Sequence, residues 1–75
     1  MKRVPEDDVD ASRVGEECAS DWFHMLNQPI TTFVCGRIIQ LADDAAARLC
    51  PERQFTFTVD VNRYTRRIEL TCWEP

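Results

Sequence analysis

The chain has 75 residues, 44% apolar and 29% charged, which makes a single small folded domain and excludes wholesale disorder. A chain of this length buries only about 60% of its unfolded surface, so its core calls for a supplement: a disulfide, a metal or a second copy. Its net charge of −4 opposes affinity for nucleic acid, and no run approaches the ~20 apolar residues of a membrane span.

The charge is unevenly spread. Residues 1–28 carry seven acids (Glu6, Asp7, Asp8, Asp10, Glu16, Glu17, Asp21) against Lys2, Arg3 and Arg13, while the remainder balances six acids with six arginines. An acidic front half suits a basic partner surface, including protein grooves that themselves bind nucleic acid; the plainer reading is that these acids solvate a helix. Met1-Lys2-Arg3 leads into acids and not into an apolar stretch, so no secretory signal is expected and the chain reads as cytoplasmic. In a reducing compartment Cys18, Cys35, Cys50 and Cys72 read as thiols packed like small hydrophobes. Export would instead allow two disulfides in any of three connectivities.

Residues 1–8, interrupted by Pro5, read as a flexible lead-in to a single domain over 9–75. A first helix is predicted from Val9 to Asn27, with Ala11, Val14, Cys18, Trp22, Met25 and Leu26 as its apolar stripe. Asp8 or Asp10 caps it, and Pro29 stops it. Phe23 falls on the opposite side, near Glu16, Ser20 and Asn27. The short connector Asn27–Thr31 predicts an antiparallel second helix, capped by Thr31 or Thr32 and ended by Pro51.

That second helix carries Val34, Ile38, Leu41, Ala42, Ala45 and Leu49 on one face, widened by Cys35 and Ile39, with Phe33 well off it. So broad an apolar face expects cover on more than one side, making it the central element. Gly36 suggests a close approach by a neighbour, and Asp44 with Arg48 a surface pair at the favourable spacing.

Alternation of Phe55, Phe57, Val59 and Val61 with polar residues, and of Ile68, Leu70 and Cys72 likewise, predicts a hairpin. Pairing Val61 with Arg66 sets Val59 opposite Ile68, Phe57 opposite Leu70 and Asp60 opposite Arg67, matching both faces. The expected fold is therefore α+β in the order α-α-β-β, with the hairpin's apolar face on the second helix. Two strands alone leave both edges open. Either a homodimer completes a four-stranded sheet, or a partner adds a strand, or the lead-in covers the edges.

Catalytic constellations are missing from the pattern. His24 lies on the polar side of the first helix, six residues from a Cys18 that faces the stripe, so no Cys–His pair forms there. The cysteines are too isolated for structural zinc. Asp8-Val9-Asp10-Ala11-Ser12 begins like a calcium loop, but Arg13 replaces its glycine and Ala19 its bidentate glutamate. Gly15 and Gly36 belong to no phosphate loop, so no cofactor is expected. A helix-turn-helix is rejected because the second helix is mostly apolar.

Surface chemistry remains. The acids Glu16, Glu17 and Asp21 with Phe23 form one candidate partner-binding face. The basic hairpin tip with Arg63, Tyr64 and Arg66, next to Arg67, forms another, and Trp73 on the outer hairpin face a third. Phe23 and Trp73 suit internal packing equally well. In size, acidity and lack of catalytic residues the chain resembles, by general character and not by any motif, small phage-encoded inhibitors of host machinery such as anti-CRISPR proteins. The resemblance implies a non-enzymatic domain that occupies a partner's surface. The alternative from another class is a dimeric regulator touching nucleic acid through paired basic tips.

Overall fold

The computed structural model describes residues 1–22, 32–62, 64–65 and 67–75. Its elements run β1 (Lys2–Arg3), α1 (Val9–Trp22), α2 (Thr32–Leu49), β2 (Thr56–Asn62) and β3 (Arg67–Glu74). The fold is α+β, with two helices followed by two antiparallel strands. The far end of the first helix, the connector, Phe23, His24 and Thr31 lie outside the described residues, as do Arg63 and Arg66.

Asp8 starts α1. Its Oδ1 accepts the N–H groups of Asp10 at 3.0 Å and Ala11 at 3.1 Å, the second and third helical donors that an N-cap satisfies. Val14 and Cys18, one turn apart, are fully buried, and the Cys18 thiol donates to the Gly15 carbonyl. In α2 the buried residues are Val34, Ile38, Ala42, Ala45 and Ala46, with Leu41 and Leu49 packed beside them at partial exposure. Three alanines at the centre allow neighbours to approach on two sides, and α2 indeed packs on α1 and on β2. It is the central element that the periodicity predicts. Phe33 projects to solvent at 80% exposure.

Among the described residues nothing comes within 4 Å of the place a Cβ would take on Gly36. One local expectation fails. Arg48 reaches across to Glu17 of α1 at 3.4 Å rather than pairing with Asp44, because antiparallel packing sets an α1 carboxylate within its reach.

The sheet has three strands in the order β1-β3-β2, where the sequence suggests two. Lys2 pairs with Glu74 and Arg3 with Trp73, and the Val4 N–H donates to the Cys72 carbonyl at 2.9 Å. The residues read as a lead-in thus cover one end of the β3 edge, and Val4 is buried at 5% exposure.

Within the hairpin the expected register is two residues off. Thr56 faces Trp73, Phe57 faces Cys72, Val59 faces Leu70, Asp60 faces Glu69 and Val61 faces Ile68. An even shift keeps every side chain on its expected face but replaces the anticipated Asp60–Arg67 match with two facing acids. Asn62 explains the shift. It stays in the strand opposite Arg67, and its Oδ1 accepts the N–H groups of Tyr64 and Thr65, an Asx turn that fixes where the chain reverses. At the other end Trp73 Nε1 donates to Thr58 Oγ1 at 2.8 Å.

Phe57 is buried and joins the α1–α2 core with Cys50, flanked by Phe55, Leu70 and Cys72. Burial of Phe57 contributes about 2–3 kcal/mol. Phe55 meets it edge to face, ring centroids 6.1 Å apart.

Candidate interaction surfaces

One residue gathers the polar side of the fold. Arg53, in the loop after α2, donates to Asp8 Oδ1 at 2.9 Å and Oδ2 at 3.1 Å, to Asp10 Oδ2 at 3.1 Å, and to both Glu74 oxygens at 2.8 and 2.9 Å. Its guanidinium also lies over the Phe55 ring, 4.4 Å from the centroid. Nη1 serves both Asp8 oxygens and Asp10 while Nη2 serves both Glu74 oxygens, and hydrogen bonds between two charged groups are about twice as strong as neutral ones. The cluster joins the start of α1, the α2–β2 loop and the end of β3. The Arg53 hydrogen bond, followed by that from Ala11, holds the Asp8 carboxyl below its ordinary value. Three acids converge here, yet a guanidinium fills their centre, so the arrangement is an ion-pair staple. Nothing in the sequence singles out Arg53, whose partners lie 45, 43 and 21 residues away.

The staple sorts the acids of the N-terminal half. Asp8 and Asp10 are bound to Arg53, Glu17 to Arg48, and Glu6 lies 3.8 Å from Arg3. Glu16 and Asp21 are exposed on α1 with no ion pair among the described residues. Of the predicted acidic face, then, two members present unpaired charge and Glu17 braces the helix pair. Tyr64 is fully exposed at the hairpin tip. Trp73 is partly buried on the outer face, at the far end of the hairpin from Tyr64. Phe23, Arg63 and Arg66 cannot be placed, lying outside the described residues.

Two grooves flank the sheet. The first, about 230 Å³, runs between the N-terminal segment, α1 and β3, lined by Val4, Gly15, Trp22, Leu70 and Cys72 among others. Trp22 Nε1 is buried without a partner among the described residues. Burial, aided by Glu74, pushes the Cys72 thiol up to about 11, so it stays protonated at neutral pH. Burial likewise raises Cys18 and Cys50. All four cysteines are free thiols.

The second groove, about 520 Å³, lies between α2 and the beginning of β2, lined by Ile39, Asp43, Ala46, Ala47, Phe55 and Phe57 together with the Pro51–Gln54 loop. It adjoins the outer edge of β2, which among the described residues pairs with β3 alone. Past this groove the hairpin's inner face changes character. Val59, Val61 and Ile68 are of intermediate exposure and stand outside the core cluster, an apolar stripe that is only partly covered.

No helix among the described residues is long and apolar enough to cross a membrane. No family model, curated protein or solved structure matches the chain.

Proposed function

We propose that this chain is a small, non-enzymatic protein-binding domain that works by occupying a basic surface of a partner protein. The observation that carries the reading is the division of its acids. Glu6, Asp8, Asp10 and Glu17 are engaged by arginines of the same chain, whereas Asp7 before α1 and Glu16 and Asp21 on it stand exposed with no ion pair among the described residues. Exposed acids of one sign steer a cationic partner and set binding specificity more than raw affinity. An inhibitor covering the groove of a nucleic-acid-binding protein is the form that the general resemblance implies.

Charge reversal tests this. The partner captured by the wild-type chain from its own source cells should be released by raising salt, and should be lost on Glu16→Lys with Asp21→Lys. Glu17 is left in place because it braces Arg48. Capture that is indifferent to both salt and charge reversal removes the acidic-face reading. The fully exposed Tyr64 at the hairpin tip favours a second reading, contact with nucleic acid. A gel shift abolished by replacing Arg63, Arg66 and Arg67 with alanine would put that reading first.

A further inference from the structure

The edge of β2 that no described strand covers has a definite hydrogen-bonding phase. Because the Val4 N–H donates to the Cys72 carbonyl, Cys72 turns its main-chain groups toward β1 and away from Phe57, the residue facing it on β2. In an antiparallel ladder opposite residues either exchange both bonds or neither, and the two cases alternate. Thr56, Thr58, Asp60 and Asn62 therefore bond to β3. Phe57, Val59 and Val61 aim their N–H and C=O groups out of the sheet, where no described residue receives them.

From this phase we propose that β2 pairs antiparallel with β2 of a second copy, in register about Val59, joining two three-stranded sheets into a six-stranded one. The proposal deepens the expectation of a homodimer and is independent of what the acidic helix binds.

Only registers that place outward residues opposite outward residues are allowed. Centring on Asp60 puts that carboxylate against its own copy, a repulsive pair. Centring on Thr58 sets Val61 opposite Phe55, beyond the strand, and wastes its bonds. Centring on Val59 pairs Phe57 with the partner's Val61 and Val59 with the partner's Val59, so every outward group finds a match. In that register the inner face sets apolar against apolar, while on the outer face Thr58 meets the partner's Asp60.

The partly covered stripe argues for the same occupant. Each protomer packs the beginning of its β2 against α2 and leaves Val59, Val61 and Ile68 outside the core cluster and partly exposed. Antiparallel pairing about Val59 lays one protomer's core-packed half beside the other's partly exposed half, twice over. The partner's hairpin tip then runs past Thr56 toward the Pro51–Gln54 end of the second groove. A foreign strand would supply the hydrogen bonds but not this reciprocal cover. Long, unprotected edges of this kind, without proline or lysine, are the ones that recruit another strand.

Sedimentation equilibrium of the whole chain, combined with residue-resolved amide exchange, tests the proposal. The expected result is a concentration-dependent dimer whose Phe57, Val59 and Val61 amides become protected as it forms. Added salt should tighten it, because each copy carries a charge of −4. Val59→Pro removes an outward N–H without touching the β3 ladder, a placement that edge strands tolerate, and should weaken dimerisation about 100-fold with the circular dichroism spectrum retained. Should that variant unfold, Val61→Lys serves in its place and should also yield a folded monomer. A wild-type monomer at about 200 µM overturns the proposal, as does a dimer that survives these substitutions or leaves the Val61 amide exchanging freely.

Discussion

The two ends of one hairpin are built on opposite principles. At its base, Phe57 is buried, Trp73 is tied to Thr58, β1 extends the sheet, and Arg53 bonds Glu74 to the start of α1. Toward the tip, Val59, Val61 and Ile68 are partly exposed, Asp60 faces Glu69, and Tyr64 is wholly in solvent. Nothing about strand propensity separates these halves, since both alternate apolar and polar residues equally well. What differs is cover. Contacts are concentrated where helices and the staple reach the sheet, and the remaining half keeps partly exposed apolar side chains and edge backbone groups that no described residue receives.

The largest effect should come from breaking the base. Arg53→Ala strands Asp8, Asp10 and Glu74 near one another and uncouples three segments at once, so the melting midpoint should fall by several degrees, read by calorimetry. The pH dependence has a definite sign. Asp8 titrates below its ordinary value of 3.8 in the folded chain, so its stabilisation is complete above that value. It is lost as pH falls through the lower folded value, because the unfolded chain takes up the proton first. Acid unfolding of the wild type should therefore steepen below about pH 4, and Asp8→Asn should flatten that limb while also lowering stability at neutral pH.

A smaller loss is expected at the tip. Asn62→Ala deletes the acceptor shared by the Tyr64 and Thr65 amides and should cost about 1 kcal/mol in denaturant unfolding. Without the turn that sets it, the register two residues away becomes a competitor, which cross-strand nuclear Overhauser contacts between Val59 and Leu70 or Ile68 would reveal. The smallest effect is a gain. Glu69→Lys turns a like-charged cross-strand pair into an opposite one and should stabilise the hairpin by roughly 0.2–1 kcal/mol. No gain would mean that Asp60 and Glu69 are held apart in solution, and the tip would then be less strained than its register implies.

Periodicity carries the fold a long way. The buried face of α2, the Asp8 cap and the inward side of both strands are all legible from spacing, because each depends on residues within a turn or two of one another. Two alignments differing by an even shift bury the same faces, so the apolar pattern does not choose between them, and the match of Asp60 with Arg67 points to the register the chain does not adopt. The side chain that decides, Asn62, acts through its own backbone neighbours and not across the strands. The third strand escaped for a different reason: Lys2-Arg3 is too short to show alternation and becomes a strand only because β3 is beside it. Arg53 is the deepest omission. A lone arginine behind Pro51 carries no local pattern, and its meaning lies entirely in carboxylates that the fold delivers from both ends of the chain. Of the candidate surface, the exposure of Glu16, Asp21 and Tyr64 follows from their positions off the apolar stripes, whereas the engagement of Glu17 by Arg48 required knowing how the helices pack.

The position of β3 in the sheet has a consequence for how the chain comes to be folded. It is the middle strand of β1-β3-β2, yet it follows both of its neighbours in sequence, and it carries both Trp73 and Glu74. During synthesis α1 and α2 can associate early, through contacts between near neighbours in the chain. Among the described strands, neither β1 nor β2 has one to pair with until Arg67–Glu74 has emerged. The sheet therefore closes after both helices are made, drawing Lys2–Arg3 and Thr56–Asn62 onto one strand. Until that moment the side of α2 that Phe57 covers is open, and the nascent chain is more exposed to wrong partners.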